Sequence, residues 1–174
     1  MSISKSADPI LRTPRLTLRR ARPDELDDLF AIMSDPDAMR YWSTLPHADK
    51  GVTRDRLSGM MAQDPLGYFM LDRDGTVIGT AGLFDRNEIG FILHPAHWRR
   101  GYVTEAMRAI IPYLFATFPV DSLMADIDPR NDGSAATLRK LGFFETHRAA
   151  RTYFIGGVWS DSAYFSLPRP SGRD

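Results

Sequence analysis

The residues of this chain best suited to chemistry lie together in one segment, His94-Pro95-Ala96-His97-Trp98-Arg99-Arg100-Gly101-Tyr102-Val103-Thr104-Glu105-Ala106. It joins an apolar run, Ile89-Gly90-Phe91-Ile92-Leu93, to a stretch in which Val103, Ala106, Met107, Ile110, Ile111, Leu114, Phe115 and Phe118 recur at helical spacing. The first turn of such a helix carries N–H groups without intrahelical acceptors, at the positive end of the helix dipole, and so forms an anion site. Gly101 lets the backbone turn tightly and approach a phosphate. Arg99 and Arg100 add positive charge, and Thr104 offers a hydroxyl to a phosphate oxygen or to a cap. The segment is neither Gly-x-x-x-x-Gly-Lys-Thr nor Gly-x-Gly-x-x-Gly, which argues against a Walker ATPase and a Rossmann domain. On spacing alone, a turn with solvated arginines ahead of an ordinary helix accounts for it equally well.

Other chemistries find little support. The chain has no cysteine, which removes disulfides, thiolate nucleophiles and Cys-ligated zinc. His47, His94, His97 and His147 lack the paired spacing of a metal site, so no metal is expected. No Gly-x-Ser-x-Gly elbow is present. Lys plus Arg and Asp plus Glu both number 22, giving zero formal charge, unlike a dedicated nucleic-acid binder, although a local anion patch remains compatible with it. The longest apolar run, near Ala109–Ala116, falls far short of the roughly 20 residues that span a bilayer. The opening Met1-Ser-Ile-Ser-Lys-Ser-Ala-Asp-Pro holds no apolar stretch of about 7–15 residues, so no signal peptide is expected and the protein reads as cytoplasmic. Its 174 residues suit one domain, with a core over about 12–168 and a loose tail over 169–174.

The elements that must position these residues follow from periodicity. Alternation marks a strand over 15–20, and Leu26, Leu29, Phe30 and Met33 mark a helix over 23–33, with Pro23 at its start. Residues 34–50 read as loop. A helix over about 50–63 would place Val52, Leu57, Met60 and Met61 inward. Tyr68–Asp72, Val77–Phe84 and Ile89–Leu93 form a meander, with a turn at Asp74-Gly75. The long helix after Gly101 contains Pro112, which should bend it. Leu123–Ile127 is a strand. Residues 131–141 are a helix ending at Gly142. Phe143–Thr146, Tyr153–Ile155 and Ser162–Leu167 are strands, the last two joined through Gly156-Gly157. This order predicts an α/β (α+β) fold with helices on both faces of one sheet and a parallel crossover across the Arg-Arg-Gly loop.

The segment Trp98–Ala106 resembles the coenzyme A-binding motif of the GNAT N-acetyltransferase superfamily, in the form of its ribosomal-protein N-terminal acetyltransferase-like branch. Arg12-Thr13-Pro14-Arg15-Leu16-Thr17-Leu18-Arg19 resembles that branch's opening strand. Asn131-Asp132-Gly133-Ser134 with Leu138-Arg139-Lys140-Leu141-Gly142-Phe143 resembles its Asn-x-x-Ser…Lys-Leu-Gly-Phe motif, and Gly157-Val158-Trp159-Ser160-Asp161 its closing Gly-x-Trp-x-Asp. Ala96 and Arg99 depart from the broader pattern, which has Gln or Arg and a first glycine there.

The resemblance implies a mixed, mostly antiparallel twisted sheet of about seven strands, and transfer of an acetyl group from acetyl-CoA to a primary amine. The absence of cysteine agrees with transfer without a cysteine-bound acetyl intermediate. Pantetheine would pair with the strand through Phe91, Ile92 and Leu93, with backbone amides near Phe91 and Ile92 as oxyanion donors. Pyrophosphate would lie against Arg99, Arg100, Gly101, Tyr102, Val103 and Thr104, and Asn131 would bond pantetheine. Glu88 is the candidate base; a solvated hairpin charge is the plain alternative. Ser134 would serve the leaving thiolate or merely cap a helix, with Tyr102 and Tyr153 as alternative acids. Glu105 is a weaker base candidate, better suited to a structural contact. Tyr41-Trp42 would wall the acceptor pocket or cover core. The acceptor would be a small-molecule amine or a protein N-terminus, taken up by a monomer or homodimer with no nucleic-acid or membrane partner. A CoA-binding sensor without activity, or a transferase for a longer acyl-CoA, are the alternatives.

Overall fold

The computed structural model describes residues 8–171; most of the N-terminal segment and the last three residues of the expected tail lie outside the described residues. In chain order the elements are β1 (Leu11–Arg12), β2 (Thr17–Arg19), α1 (Leu26–Met33), α2 (Lys50–Ala62), β3 (Tyr68–Arg73), β4 (Thr76–Asp85), β5 (Glu88–Leu93), α3 (Tyr102–Thr117), β6 (Ser122–Ile127), α4 (Asp132–Lys140), β7 (Phe144–Ile155) and β8 (Val158–Pro168). They build one eight-stranded sheet in the order β1-β2-β3-β4-β5-β6-β8-β7. Every neighbouring pair is antiparallel except β5 and β6, which are parallel through the α3 crossover.

Each face of the sheet buries its own core, because strand side chains alternate. Ile89 and Leu93 of β5, Leu123 and Ala125 of β6, and Ala163 and Phe165 of β8 pack under α3 and α4. Ile92 of β5, with Tyr68, Met70 and Val77, packs under α1 and α2. That second core draws no residue from β6, β7 or β8. Half of one sheet face therefore has no helix over it among the described residues.

The strand expected over 143–146 and the one over 153–155 are a single strand, β7. Between them His147, Arg148 and Ala149 stay paired with β8, across register shifts at Glu145/His147 and Ala149/Tyr153. On α2 it is Thr53, beside Leu57 and Met60, that turns inward, while Val52 stands 47% exposed. Thr53 can be buried because its hydroxyl lies 2.8 Å from His47 Nδ1. Helix α3 runs through Pro112 without a break, its inward face set by Tyr102, Ala106, Met107, Ile110 and Leu114. The tail is held one residue beyond the expected core. The Arg169 guanidinium donates to the carbonyls of Phe115, Phe118 and Val120, and its amide to that of Asp121.

Candidate active site

The β5–α3 junction is shaped by two residues with left-handed backbone, Arg99 (φ 59°) and Gly101 (φ 76°). Glycine takes this conformation freely, whereas for an L side chain it costs about 1–2 kcal/mol. The entry to the loop is fixed by Trp98, whose Nε1–H donates to the Leu93 carbonyl at 2.8 Å. The first helical bond of α3 runs from Glu105 N–H to Gly101 O at 3.0 Å. Among the described residues, no acceptor is bonded by the amides of Arg99, Arg100, Gly101, Tyr102, Val103 or Thr104. Six successive N–H groups thus stand without a bonded acceptor at the positive end of a 16-residue helix.

This cradle is braced from the far edge of the sheet. Glu105 accepts from Thr13 Oγ1 at 2.6 Å, from the Arg15 amide at 2.9 Å and from Arg15 Nε at 2.6 Å. Burial works against its charge, but these bonds outweigh it and hold Glu105 below the usual carboxylate range. Both carboxylate oxygens are thus engaged in structure and the group is held less basic than usual, which suits a structural contact. Arg15 and Arg73 lie over the Tyr102 ring, at 4.3 and 5.5 Å from its centroid. Beside them a cavity of about 490 Å³ opens between the β1–β2 and β3–β4 turns.

Strands β5 and β6 part immediately after they meet. Their single register pair is Glu88 with Met124, where Met124 N–H donates to Asn87 O at 2.8 Å. Beyond it the strands diverge toward the end where α3 begins, leaving a wedge. Ladder alternation decides which β5 amides face it. His94 N–H donates to Ile78 O, so by the two-residue period of the β4–β5 register the amides of Ile92 and Gly90 also point to β4. Those of Phe91 and Leu93 point into the wedge. The expectation of oxyanion donors near Phe91 and Ile92 is therefore corrected. Ile92 N–H belongs to the β4 ladder, and Phe91 and Leu93 are the residues whose amides have no strand partner.

Glu88, Gly90 and Ile92 share the sheet face opposite α3, and so do Met124 and Asp126 of β6. Glu88 is therefore not a free hairpin charge. Burial first, then the nearby Asp126 and Asp85, push its carboxyl up. Asp126 is likewise pushed up by burial and pulled back in part by the Ser162 and Tyr153 hydroxyls. Tyr153 reaches from β7 across β8 to donate to Asp126 Oδ2 at 3.1 Å. Burial and the charges of Asp126 and Glu88 push the Tyr153 phenol upward, so it stays a donor. Asp126 was not singled out from sequence. Its signal, a lone acid in an apolar strand, is visible only once the strand's face is known.

The loop between α1 and α2 crosses this open face. A Cβ on Gly90 would lie 3.3 Å from Phe84 and 4.0 Å from Trp42. Tyr41 stacks under Arg130, 5.8 Å away, and Leu45 meets the β7–β8 turn at Gly156. On the other face Asn131 caps α4, its Oδ1 accepting from Ser134 N–H at 3.1 Å. Ser134 is not the cap, and its hydroxyl has no partner among the described residues. The structure thus groups the predicted residues into a loop of unbonded amides (99–104), a wedge (Phe91, Leu93), a polar face (Glu88) and a rim on α4 (Asn131, Ser134). Among the described residues no three His, Cys, Asp or Glu side chains gather as a metal site, and no helix is long and apolar enough to cross a membrane.

Residues 15–144 match the family described as the acetyltransferase (GNAT) domain. A relative in Bacillus licheniformis, the uncharacterized N-acetyltransferase p20, is 31% identical over 76% of this chain and 81% of its own. A GNAT-family acetyltransferase structure from Bacillus anthracis superposes with a TM-score of 0.82 at 21% identity, over 92% of this chain and 98% of the other. The ribosomal L7/L12 alpha-N-protein acetyltransferase RimL, solved with coenzyme A, superposes with a TM-score of 0.79 at 15% identity, covering 92% and 98%. The two structural likenesses are likenesses of fold.

Proposed function

Since the chain belongs to the GNAT acetyltransferase family, we propose that it transfers an acetyl group from acetyl-CoA to a primary amine by direct attack in a ternary complex. The observation that carries this reading is the run of six unbonded amides at residues 99–104, at the open end of the β5–β6 wedge. A diphosphate is the group such a cradle suits. The Arg99 and Arg100 side chains add charge to it, and the free Phe91 and Leu93 amides suit an extended amide-bearing chain laid into the wedge. When bound, acetyl-CoA supplies an activated acyl carbon and a thiol leaving group.

The chain's own groups then divide the work. Glu88, made more basic by burial and by its acidic neighbours, accepts the proton that the acceptor ammonium must lose. The Phe91 amide faces the wedge as a donor for the developing oxyanion. As the new N–C bond forms and the C–S bond breaks, the departing sulfur needs a proton or a hydrogen-bond donor, for which the Ser134 hydroxyl at the start of α4 is available; Tyr153 on β7, the alternative, already donates to Asp126. The wedge joins the two faces, so donor and acceptor approach from opposite sides of the sheet. The test is thiol release from acetyl-CoA over a panel of alkylamines, amino-terminal peptides and aryl amines. Amine-dependent release is expected; stabilisation by acetyl-CoA with no release for any amine would favour a CoA-binding sensor instead.

A further inference from the structure

We infer that Arg56 reads a carboxylate on the acceptor, so that the substrate is an amino carboxylic acid and not a plain alkylamine or a polyamine; this rests on the transferase reading above. Arg56 stands on α2, half-buried beside the inward-facing Thr53, Leu57 and Met60. Its guanidinium carbon lies 5.6 Å from the centre of the Trp42 ring and 5.9 Å from that of Tyr68. Nε is enclosed and bonds to nothing. Among the described residues the two Nη groups bond to nothing either, but they keep accessible surface that a ligand can reach. Other arginines drawn into the fold are treated differently: Arg19 is met by Glu25 and Asp72, and Arg15 by Glu105. Among the described residues no Asp or Glu pairs with Arg56. A half-buried cation without a counter-ion is costly, and two aromatic rings offset only part of that cost.

The groups nearest to Arg56 leave that charge unanswered. His47 is pushed toward its neutral form by burial first and then by Arg56 itself. Asp49 spends Oδ1 on the first amides of α2, those of Gly51 and Val52. The sheet then places Arg56 in relation to the candidate base. Tyr68, Gly82 and Gly90 lie opposite one another across β3, β4 and β5, and two of these three positions carry no side chain. Tyr68 and Gly90 are two strand spacings apart, about 10 Å. Trp42 spans the interval, with its ring near Arg56 at one end and Gly90 at the other. Glu88 stands two residues from Gly90 on the same face, so an amine at Glu88 and an anion at Arg56 can belong to one short molecule. The planar guanidinium fork matches a carboxylate with two parallel bonds. A second ammonium in the carboxylate's place would meet Arg56 as a like charge.

The probes are the straight-chain amino acids from glycine to 6-aminohexanoate and the alkylamines of matching carbon count, compared by kcat/KM for thiol release from acetyl-CoA. At least one amino acid should exceed its matched alkylamine by about tenfold or more. Arg56→Gln should bring that pair level, mainly by raising KM for the amino acid. In the wild-type protein saturated with coenzyme A, carboxylates that have no amine to react, from acetate to hexanoate, should shift the Arg56 Nε–H NMR resonance, and the matching alcohols should not. That reading needs no variant to fold. Alkylamines that equal or surpass every matched amino acid, a preference that survives Arg56→Gln, or an Arg56 resonance that no carboxylate moves overturns the inference. The premise fails separately. Carboxylate binding at Arg56 with no thiol release from any amine sinks only the transferase reading, and release that is indifferent to the carboxylate sinks only the role of Arg56.

Discussion

The two halves of the candidate site are built in opposite ways. The cradle at residues 99–104 is one continuous piece of chain, its shape set by two left-handed residues and the start of a single helix. The polar face is assembled from β5, β6, β7, β8 and a crossing loop, with Tyr153 reaching Asp126 over 27 positions of sequence. The first is a backbone site, indifferent to most side chains. The second is a side-chain site, whose members meet only because the sheet aligns them. A scaffold of this kind can hold its donor-binding end constant while the acceptor end varies residue by residue.

The contrast predicts different damage from different substitutions. On the polar face, Glu88→Gln should lower kcat by about 10²–10³-fold with little change in acetyl-CoA affinity. A base must be ionised to act, and Glu88 titrates above the ordinary carboxylate range. The wild-type rate should therefore fall as pH drops through that raised value, and the variant should lose this acid limb of its kcat/KM profile. Full activity with an unchanged profile would remove Glu88 from the chemistry. At the cradle, Gly101→Val should reverse the pattern. A β-branched side chain resists φ near +76°, so the loop must move and carry its unbonded amides with it. Losing two charge-assisted bonds corresponds to about 100-fold weaker acetyl-CoA binding by calorimetry. Retained affinity would show that side chains, not amides, hold the diphosphate.

The same contrast explains what the sequence could reveal. Helix α3, Gly101 and the strand before them were legible, because a periodic helix, a turn residue and a dipole all act within about a dozen neighbouring residues. The Asn131 cap was legible for the same reason. Asp126 was not, since nothing local marks an acid in Leu123–Ile127 as facing a cleft rather than solvent. Nor could local pattern separate Phe91 from Ile92 as the free donor. That depends on the β4–β5 register, which is set by side chains packing on both faces. Strand β7 looks like two pieces in sequence, since His147–Thr152 carries no large apolar residue; its pairing comes from β8 and not from burial of its own residues.

Bracing of the cradle should be a matter of stability more than of catalysis. Glu105→Gln removes a carboxylate that takes three bonds from Thr13 and Arg15, and should cost about 2 kcal/mol near neutral pH. Because the folded-state pKa of Glu105 is depressed, this stabilisation is present above its unfolded value of about 4.3 and is lost as pH falls through the lower folded value. Denaturant unfolding of the two proteins should therefore converge in acid. A difference that persists there would mean that packing, not charge, is what the variant lost.

The smallest effect tests the cradle at its one irregular position. Arg99 adopts φ 59°, a conformation better suited to glycine, so its backbone and its guanidinium make separable contributions. Arg99→Ala keeps the backbone strain and removes the charge, whereas Arg99→Gly removes both. The glycine variant should be the more stable of the two by about 1 kcal/mol, read from denaturant midpoints. Against acetyl-CoA, both variants should bind a few-fold more weakly than wild type, by about the same factor, since a solvated guanidinium adds no more than about 1 kcal/mol to an anion contact. If Arg99→Ala binds as tightly as wild type and Arg99→Gly alone is weak, the side chain is idle and the diphosphate reads only the path of the backbone, which is the extreme form of the difference between the two halves of the site.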